Sequence, residues 1–223
     1  LQINLNYKIK MEKLFKGIDI GSIKLIKEAL EEGINVNSKN NNGDTPLRLA
    51  VIRRNVQKGW GGRSYGKYYD KDYLNIIKLL LEHDANPNIK SKILGSTPLL
   101  LSVYRSDYEL TNIMIKYRVN VNSKNKLGNT PLMAAAKYGP LKLVKLLLEN
   151  GAKLLSRNNN GDSAYYEAYG NSNHEIEKYL ELWPVIKIQR KYKKKLQRKY
   201  GRLELLQKTK LPEVVIQDII NYV

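Results

Sequence analysis

Few residues in this chain of 223 residues have the side chains needed for catalysis or metal binding. The sequence contains no cysteine and two histidines, His83 and His174. The lack of cysteine excludes disulfides, thiolate metal ligands and cysteine nucleophiles. His174 stands near the start of a predicted helix, which favours a solvated polar side chain over a ligand. Zinc and hydrolase chemistry are therefore largely excluded, and no cofactor or metal is predicted.

One glycine-rich stretch, Trp-Gly-Gly-Arg-Ser-Tyr-Gly at residues 60–66, invites comparison with a phosphate-binding loop. It lacks the preceding strand, the following helix and the Gly-Lys-Ser/Thr that such a loop needs to surround a phosphate. We therefore predict that the protein is not an enzyme.

The net charge of +18 favours acidic partners, whether protein, nucleic acid or lipid head groups. No apolar run of about 18 residues predicts a membrane span. The first residues, LQINLNYKIK, lack the apolar region of a signal peptide. From these features we expect a soluble cytoplasmic protein, in which residues 1–11 form an N-terminal extension.

Basic residues concentrate in residues 187–202, which hold nine of them and no acid. The apolar positions Ile188, Tyr192 and Leu196 recur every four residues, which predicts an amphipathic helix. Such a helix could bind an anionic membrane, nucleic acid or a calmodulin-like protein. The segment also resembles an IQ motif, carried by Ile188, Gln189, Lys193 and Arg198. Two plainer interpretations are that this helix packs on the preceding residues or links them to the end of the chain.

The clearest structural unit is GNTPLMAAAKYGPLKLVKLLLENGA at residues 128–152. Thr130-Pro131 opens a short apolar helix, because proline is favoured in the first turn. Gly139-Pro140 breaks this helix, a second apolar helix follows, and Gly151 ends it. The unit therefore predicts two antiparallel helices joined by a tight turn.

This unit recurs along the chain. Thr97-Pro98-Leu99 lies 33 residues before the equivalent Thr130 triplet, Ser163-Ala164-Tyr165 lies 33 after it, and Thr45-Pro46-Leu47 lies 52 before Thr97. The pattern resembles the ankyrin repeat over residues 12–183. The resemblance implies an all-α solenoid of five helix-turn-helix repeats with projecting β-hairpin fingers, at about 12–41, 42–93, 94–126, 127–159 and 160–183. We expect the first and last repeats to act as caps, and the last helix to end at Trp183-Pro184.

The spacing of 52 places an insertion in the second repeat, at about 54–71. Glycines, basic residues and aromatic residues dominate it, and long loops of this kind are either functional or disordered. As a binding loop it would present Trp60, Arg63, Tyr65, Tyr68 and Tyr69. The alternative is a disordered loop whose aromatic residues fold back on the repeat.

The ankyrin resemblance also implies that finger tips and first-helix ends contact a protein target. The finger residues are Asn41, Asn42, Asp44, Lys92, Ile93, Ser96, Lys126, Leu127, Asn129, Asn159, Asn160 and Asp162. The helix-end residues are Ile52, Arg53, Tyr104, Arg105, Lys137 and Tyr138. Exposed apolar and aromatic side chains anchor interfaces, so we expect Ile93, Leu127, Tyr104 and Tyr138 to contribute most.

The chain ends in LPEVVIQDIINYV at residues 211–223, with an apolar stripe at helical spacing. This segment resembles the first helix of an F-box through Leu211, Pro212, Val215, Ile219 and Tyr222. Ankyrin repeats followed by such a segment are similar to ankyrin proteins of poxviruses and other large DNA viruses. That resemblance implies an adaptor that links a target to a cullin-type ubiquitin ligase. The alternative for this segment is a helix that only caps the solenoid. Residues 184–210 are predicted to form a separate basic amphipathic helix, and the alternative function is binding of nucleic acid, lipid or a calmodulin-like protein through residues 187–202.

Overall fold

The computed structural model describes the backbone of residues 2–58 and 72–200, and the side chains of 8–54 and 72–191. These residues form helices that pair along the chain. Repeat 1 contains α1 (Gln2–Ile20) and α2 (Ile23–Glu31), and repeat 2 contains α3 (Pro46–Lys58) and α4 (Tyr73–Glu82). Repeat 3 contains α5 (Pro98–Tyr104) and α6 (Tyr108–Lys116), repeat 4 contains α7 (Pro131–Tyr138) and α8 (Leu141–Glu149), and repeat 5 contains α9 (Ala164–Tyr169) and α10 (His174–Tyr200). The predicted all-α ankyrin solenoid is confirmed.

A threonine or serine hydroxyl caps the N-terminus of the first helix in each of repeats 2 to 5. The Oγ1 atoms of Thr45, Thr97 and Thr130 each accept a hydrogen bond from the backbone N–H three residues later, at 3.3 Å. Ser163 does the same in repeat 5, at 3.5 Å. These bonds satisfy N–H groups that the helix itself leaves unpaired. The Thr45 hydroxyl therefore caps α3.

The first helices stack closely because one small residue recurs on each. Five positions after the capping residue stand Ala50, Ser102, Ala135 and Ala168, and all four are fully buried. Helix α7 contacts both α5 and α9, and α3 contacts α5. The single hydroxyl among them, on Ser102, donates to the Leu99 carbonyl at 2.8 Å and meets Thr111 Oγ1 at 2.9 Å. The core is therefore a thin apolar layer that runs through the whole stack.

A second periodic feature joins the loops that follow the second helices. The Oδ1 atoms of Asn37, Asn88 and Asn122 accept a hydrogen bond from the backbone of the next repeat's loop, at Asn86, Asn120 and Lys153. The distances are 2.7, 2.7 and 2.8 Å. Leu155 occupies the equivalent position after α8 and is 85% exposed.

Both terminal helices are longer than predicted. Helix α1 already begins at Gln2, so residues 2–11 are part of the first helix rather than a separate extension. The prediction that the last helix ends at Trp183 is wrong, because α10 continues through Pro184 to Tyr200. Proline removes one helical hydrogen bond, but contacts on both sides of it hold the helix to the solenoid. Trp183 is buried, Ile186 packs on the core, and Arg190 Nη1 pairs with Glu149 Oε1 of α8 at 2.7 Å.

Candidate protein-binding surface

Four tight turns, which we call fingers, precede the first helices of repeats 2 to 5. Each is closed by a backbone bond: Asn40 N to Asp44 O in finger 2, Ser91 N to Ser96 O in finger 3, Asn125 N to Asn129 O in finger 4, and Asn158 N to Asp162 O in finger 5. None of these turns is assigned as a strand in the described residues, so the fingers are turns rather than the predicted β-hairpins. Gly43 has φ +77°, a backbone conformation that favours glycine.

An asparagine side chain organises three of the four fingers. In finger 4, Asn125 Oδ1 accepts from the N–H groups of Leu127 and Asn129, at 3.0 and 2.9 Å. Asn40 and Asn158 make the same pair of bonds in fingers 2 and 5. Finger 3 has Ser91 at this position, whose hydroxyl accepts only from Ser96 N, and its closing bond spans one residue more. Finger 3 has one more residue than fingers 2, 4 and 5, and this residue changes its shape.

Backbone bonds connect neighbouring finger tips. Lys126 N donates to Leu94 O between fingers 3 and 4, and Asn159 N donates to Leu127 O between fingers 4 and 5, both at 3.0 Å. Within the described residues no such bond connects finger 2 to finger 3. Fingers 3, 4 and 5 thus form one continuous row.

The predicted finger residues lie mostly on the surface, with one exception. Ile93 and Leu127 are 78% and 62% exposed. Exposed positions also include Asn41, Asn42, Lys92, Lys126, Asn159 and Asn160, whereas Asp44, Asn129 and Asp162 are half-buried. Ser96 is 2% exposed, its N–H donates to Ser91 Oγ, and its carbonyl accepts from Ser91 N. Its predicted role as a contact residue is therefore wrong. Leu94, which was not among the predicted finger residues, is 57% exposed next to Ile93.

Two tyrosines meet at the helix ends of repeats 3 and 4. The rings of Tyr104 and Tyr138 are 5.9 Å apart between centroids and tilted by 55°. Tyr138 is 56% exposed, whereas Tyr104 is half-buried, and burial raises the pKa of its phenol. Asn125 Nδ2 donates to Tyr104 Oη at 3.4 Å, which connects this pair to finger 4. The structure therefore brings together two of the four residues expected to anchor a partner.

Two of the charged residues at the helix ends form ion pairs with other residues of the solenoid. Lys137 Nζ pairs with Glu167 Oε2 at 3.0 Å, and this bond raises the pKa of the lysine. Arg53 Nη2 pairs with Asp19 Oδ1 of α1 at 2.7 Å. Ile52 is half-buried and Arg105 is exposed. Of the six predicted helix-end residues, Tyr138 and Arg105 are exposed and the other four are half-buried.

A buried ion pair lies next to this surface and was not predicted. Arg54 Nε donates to Asp107 Oδ2 at 2.7 Å, and Arg54 Nη2 lies 3.0 Å from Glu109 Oε2. The side chains of Arg54 and Asp107 are 10% and 1% exposed. Asp107 also caps α6 through Leu110 N at 3.2 Å. The sequence analysis assigned Arg54 to the insertion, but α3 continues to Lys58, so residues 54–58 are helical.

Several predicted residues lie at or beyond the limits of the described structure. Ile188 is half-buried and Gln189 is exposed on α10. Lys193 and Arg198 belong to the same helix, but their side chains are outside the described set. The insertion residues Trp60, Arg63, Tyr65, Tyr68 and Tyr69 lie outside the described residues, as do the F-box-like residues Leu211, Pro212, Val215, Ile219 and Tyr222.

The surface is open rather than enclosed. One cleft of about 470 Å³ lies between α1 and finger 2, lined by residues that include Met11, Phe15 and Asn41. Another, of about 400 Å³, lies between the loops that follow α4 and α6. No cluster of three metal-ligating side chains forms among residues 8–54 and 72–191. Within the described helices, none combines the length and the apolar character needed to cross a membrane.

Known protein families match this chain over its central part. A model of three ankyrin repeats matches residues 68–158, and a single ankyrin repeat matches residues 42–92. Ankyrin repeat protein FPV024 of fowlpox virus is 31% identical over 119 residues, which are 53% of this chain and 17% of that protein. An ankyrin repeat protein of Rickettsia felis is 31% identical over 159 residues, 65% of this chain and 63% of that protein. Ankyrin repeat protein OPG189 of variola virus is 30% identical over 131 residues, 58% of this chain and 20% of that protein.

The chain thus spans a fifth or less of the length of these poxvirus relatives and less than two thirds of the Rickettsia relative. The two family matches together extend over residues 42–158, slightly more than half of the chain. The thirty-three-residue period, the capped helix pairs and these matches agree. The chain belongs to the ankyrin repeat family.

Proposed function

We propose that this protein is a non-catalytic scaffold that holds a protein partner along its fingers and first-helix ends. The observation that carries the proposal is the exposure of large apolar and aromatic side chains along this one edge, at Ile93, Leu94, Leu127 and Tyr138. Exposed apolar residues that lie close together mark interaction sites far more often than isolated ones do. Tyrosine at the edge of such a patch adds a rigid contact with a polar end.

Site-specific photo-crosslinking tests this proposal. We expect a benzophenone amino acid at Leu127 or at Tyr138 to capture the same partner from an extract. Avian and Acanthamoeba cells are suitable sources, because viral relatives come from fowlpox virus and from a mimivirus of Acanthamoeba. The same amino acid at Lys116 or Lys178, both exposed on second helices, is the control. Equal capture from all four positions, or capture only from the second helices, would contradict the proposal.

The finer role of an adaptor is supported by the sequence of the C-terminal segment. Residues 211–223 carry the F-box-like pattern, and poxvirus proteins are among the relatives. We propose that this segment docks the adaptor subunit of a cullin-type ubiquitin ligase in the cytoplasm of a host cell. Leu211→Asp or Ile219→Asp should abolish co-purification of that subunit and leave the crosslinks from Leu127 intact. Undiminished co-purification by both variants would refute this role.

The alternative function, binding to anionic surfaces, is favoured by the length of α10. This helix continues to Tyr200 and carries Lys187 and Lys191 at exposed positions. Counterion release would make such binding steeply salt-dependent. Replacement of Lys193, Lys194 and Lys195 by Glu should then abolish binding to heparin or anionic vesicles. Salt-independent retention of calmodulin, lost on Ile188→Ala, would instead indicate the IQ-like interpretation.

A further inference from the structure

Fingers 2, 4 and 5 share one turn, finger 3 is one residue longer, and the tips of the fingers differ in chemistry. Fingers 2 and 5 have the same sequence, Asn-Asn-Asn-Gly-Asp, at residues 40–44 and 158–162. Fingers 3 and 4, between them, have Lys-Ile-Leu and Lys-Leu before the glycine. Fingers 2 and 5 demonstrate that the turn of finger 4 needs no apolar residue at its tip, and finger 3 differs from that turn by one added residue. The exposed Ile93, Leu94 and Leu127 therefore need a reason other than folding.

These three apolar residues lie side by side in the structure. The bond from Lys126 N to Leu94 O brings the tips of fingers 3 and 4 to within 3.0 Å at the backbone. Their side chains are 78%, 57% and 62% exposed. We call Ile93, Leu94 and Leu127 the apolar strip. Polar fingers flank it at both ends, an arrangement typical of the centre and rim of a protein interface.

The surroundings of the apolar strip are positively charged. Residues 88–98 and 122–131 contain Lys90, Lys92, Lys124 and Lys126 and no acidic residue. All four lysines are exposed. Within the described part of the chain, Lys92 and Lys126 make no ion pair. Lys124 Nζ donates to the Arg157 carbonyl at 2.7 Å, which leaves its charge uncompensated.

We propose that the apolar strip and its lysines bind an acidic protein segment that carries at least two apolar side chains. Charge complementarity requires a negatively charged partner and speeds its association. Burial of the apolar strip supplies most of the affinity. A nucleic acid would satisfy the lysines but would leave three large apolar side chains in water, so we favour a peptide. This inference rests on the proposed scaffold function and specifies the partner's chemistry.

Selection from a random twelve-residue peptide library, with the full chain immobilised, tests the inference. We expect the enriched peptides to combine several Asp or Glu residues with two or more Leu, Ile, Val or Phe. The double variant Lys92→Glu, Lys126→Glu should reverse the charge preference. The double variant Ile93→Ser, Leu127→Ser should weaken binding of the enriched peptides at least tenfold.

Two matched controls separate the apolar strip from the net charge of the whole chain. Lys116→Glu with Lys178→Glu makes the same change in net charge on second helices. Leu155→Ser with Leu182→Ser removes two other exposed leucines, 85% and 45% exposed. Both control variants should keep the wild-type selection and affinity.

Four outcomes would overturn the inference. The first three are enrichment of neutral or basic peptides, the same response to the finger and control variants, and complete displacement of the peptides by a twenty-nucleotide single-stranded DNA. A chain that enriches no peptide would also overturn it. The scaffold proposal is judged separately, because crosslinking of a folded partner at Leu127 does not depend on peptide binding. Circular dichroism of each variant verifies that the helices are intact.

Discussion

The junction between repeats 2 and 3 is held together differently from the two junctions that follow it. Between repeats 3 and 4, and between 4 and 5, the finger tips share a backbone bond. Between repeats 2 and 3 no finger bond forms in the described residues. There the buried pair of Arg54 and Asp107 joins the C-terminal part of α3, the first helix of repeat 2, to the N-terminus of α6, the second helix of repeat 3. In the described residues, a finger bond is thus present at the two later junctions, whereas the junction of repeats 2 and 3 has the buried ion pair instead.

Two local changes in the sequence accompany this difference. Finger 3 has an additional residue, so Lys92 lies three residues before Gly95, whereas Lys126 and Asn159 lie two residues before their glycines. Helix α3 has 13 residues, whereas α5 and α7 have 7 and 8, and Arg54 lies in its added part. Each repeat of a solenoid depends only on its neighbours. The loss of one contact between two repeats is therefore tolerated where another contact between them replaces it.

The largest expected effect comes from breaking the buried pair. Asp107→Ala should lower the free energy of unfolding by about 3–5 kcal/mol, because it leaves a buried guanidinium without its main partner. Because stability in a solenoid is local, urea should then unfold repeats 1 and 2 before the rest. Tryptophan fluorescence and circular dichroism would record separate transitions.

Two further variants sharpen this test. Glu109→Ala removes a carboxylate whose side chain is 63% exposed and should cost less than about 1 kcal/mol. The double variant Arg54→Met, Asp107→Ser removes both charges and keeps a capping hydroxyl, so it should lose less stability than Asp107→Ala. If the double variant is the less stable one, the pair is not what holds this junction.

The next effect concerns the finger bond between repeats 4 and 5. Gly128 has φ +77°, and an added Cβ would lie 2.5 Å from Asn159 Oδ1 and 2.8 Å from Asn159 N. Gly128→Ala should therefore cost about 2–4 kcal/mol, from backbone strain and from the forced separation of the two fingers. Urea denaturation measures the loss.

Gly161→Ala is the matched control for this variant. Gly161 has φ +86° and nothing within 4 Å of an added Cβ, so only backbone strain of about 1–2 kcal/mol applies. If Gly128→Ala and Gly161→Ala lower the free energy of unfolding equally, the contact between fingers 4 and 5 adds nothing to the stability of the stack.

A smaller, stabilising effect is expected when finger 3 is shortened. Deletion of Ile93 leaves Ser-Lys-Leu-Gly-Ser, the same length as finger 4, and allows residue 92 to donate to the Asn42 carbonyl. One new backbone hydrogen bond should add about 1 kcal/mol. An unchanged or lower free energy of unfolding would mean that finger length does not decide whether fingers 2 and 3 bond.

The smallest expected effect is a change in how folding stability depends on alkaline pH, through Tyr104 at the junction of repeats 3 and 4. Burial raises the pKa of the Tyr104 phenol, so the folded state keeps this proton to a higher pH than the unfolded chain does. The resulting stability is present below about pH 10, the ordinary tyrosine value, and is lost as the pH rises through the raised pKa. Tyr104→Phe should make the melting temperature fall less steeply between about pH 9 and pH 11. An identical slope in the variant would contradict this assignment.

Much of the fold could be predicted because its signals are local. Thr-Pro at the start of a helix, glycine at the φ +77° position of a finger and small residues five positions after the cap each act within a few residues. The exposure of Ile93 and Leu127 also followed from the finger pattern. Ser96 was misassigned because a serine at a finger base bonds within the turn, which the repeat pattern alone does not reveal. The helix was wrongly ended at Pro184 because tertiary contacts on both sides of it outweigh one lost hydrogen bond.

The sequence by itself determined the repeat, the caps and the positions of the fingers, since these depend on residue types close together in the chain. Only the tertiary structure decided that Arg54 pairs with Asp107, that Tyr104 meets Tyr138, and that the tips of fingers 3 and 4 form one apolar strip. These contacts join residues about one repeat or more apart. Their formation depends on how far each helix extends and how each finger is shaped, and both are set by packing between neighbouring repeats rather than within one.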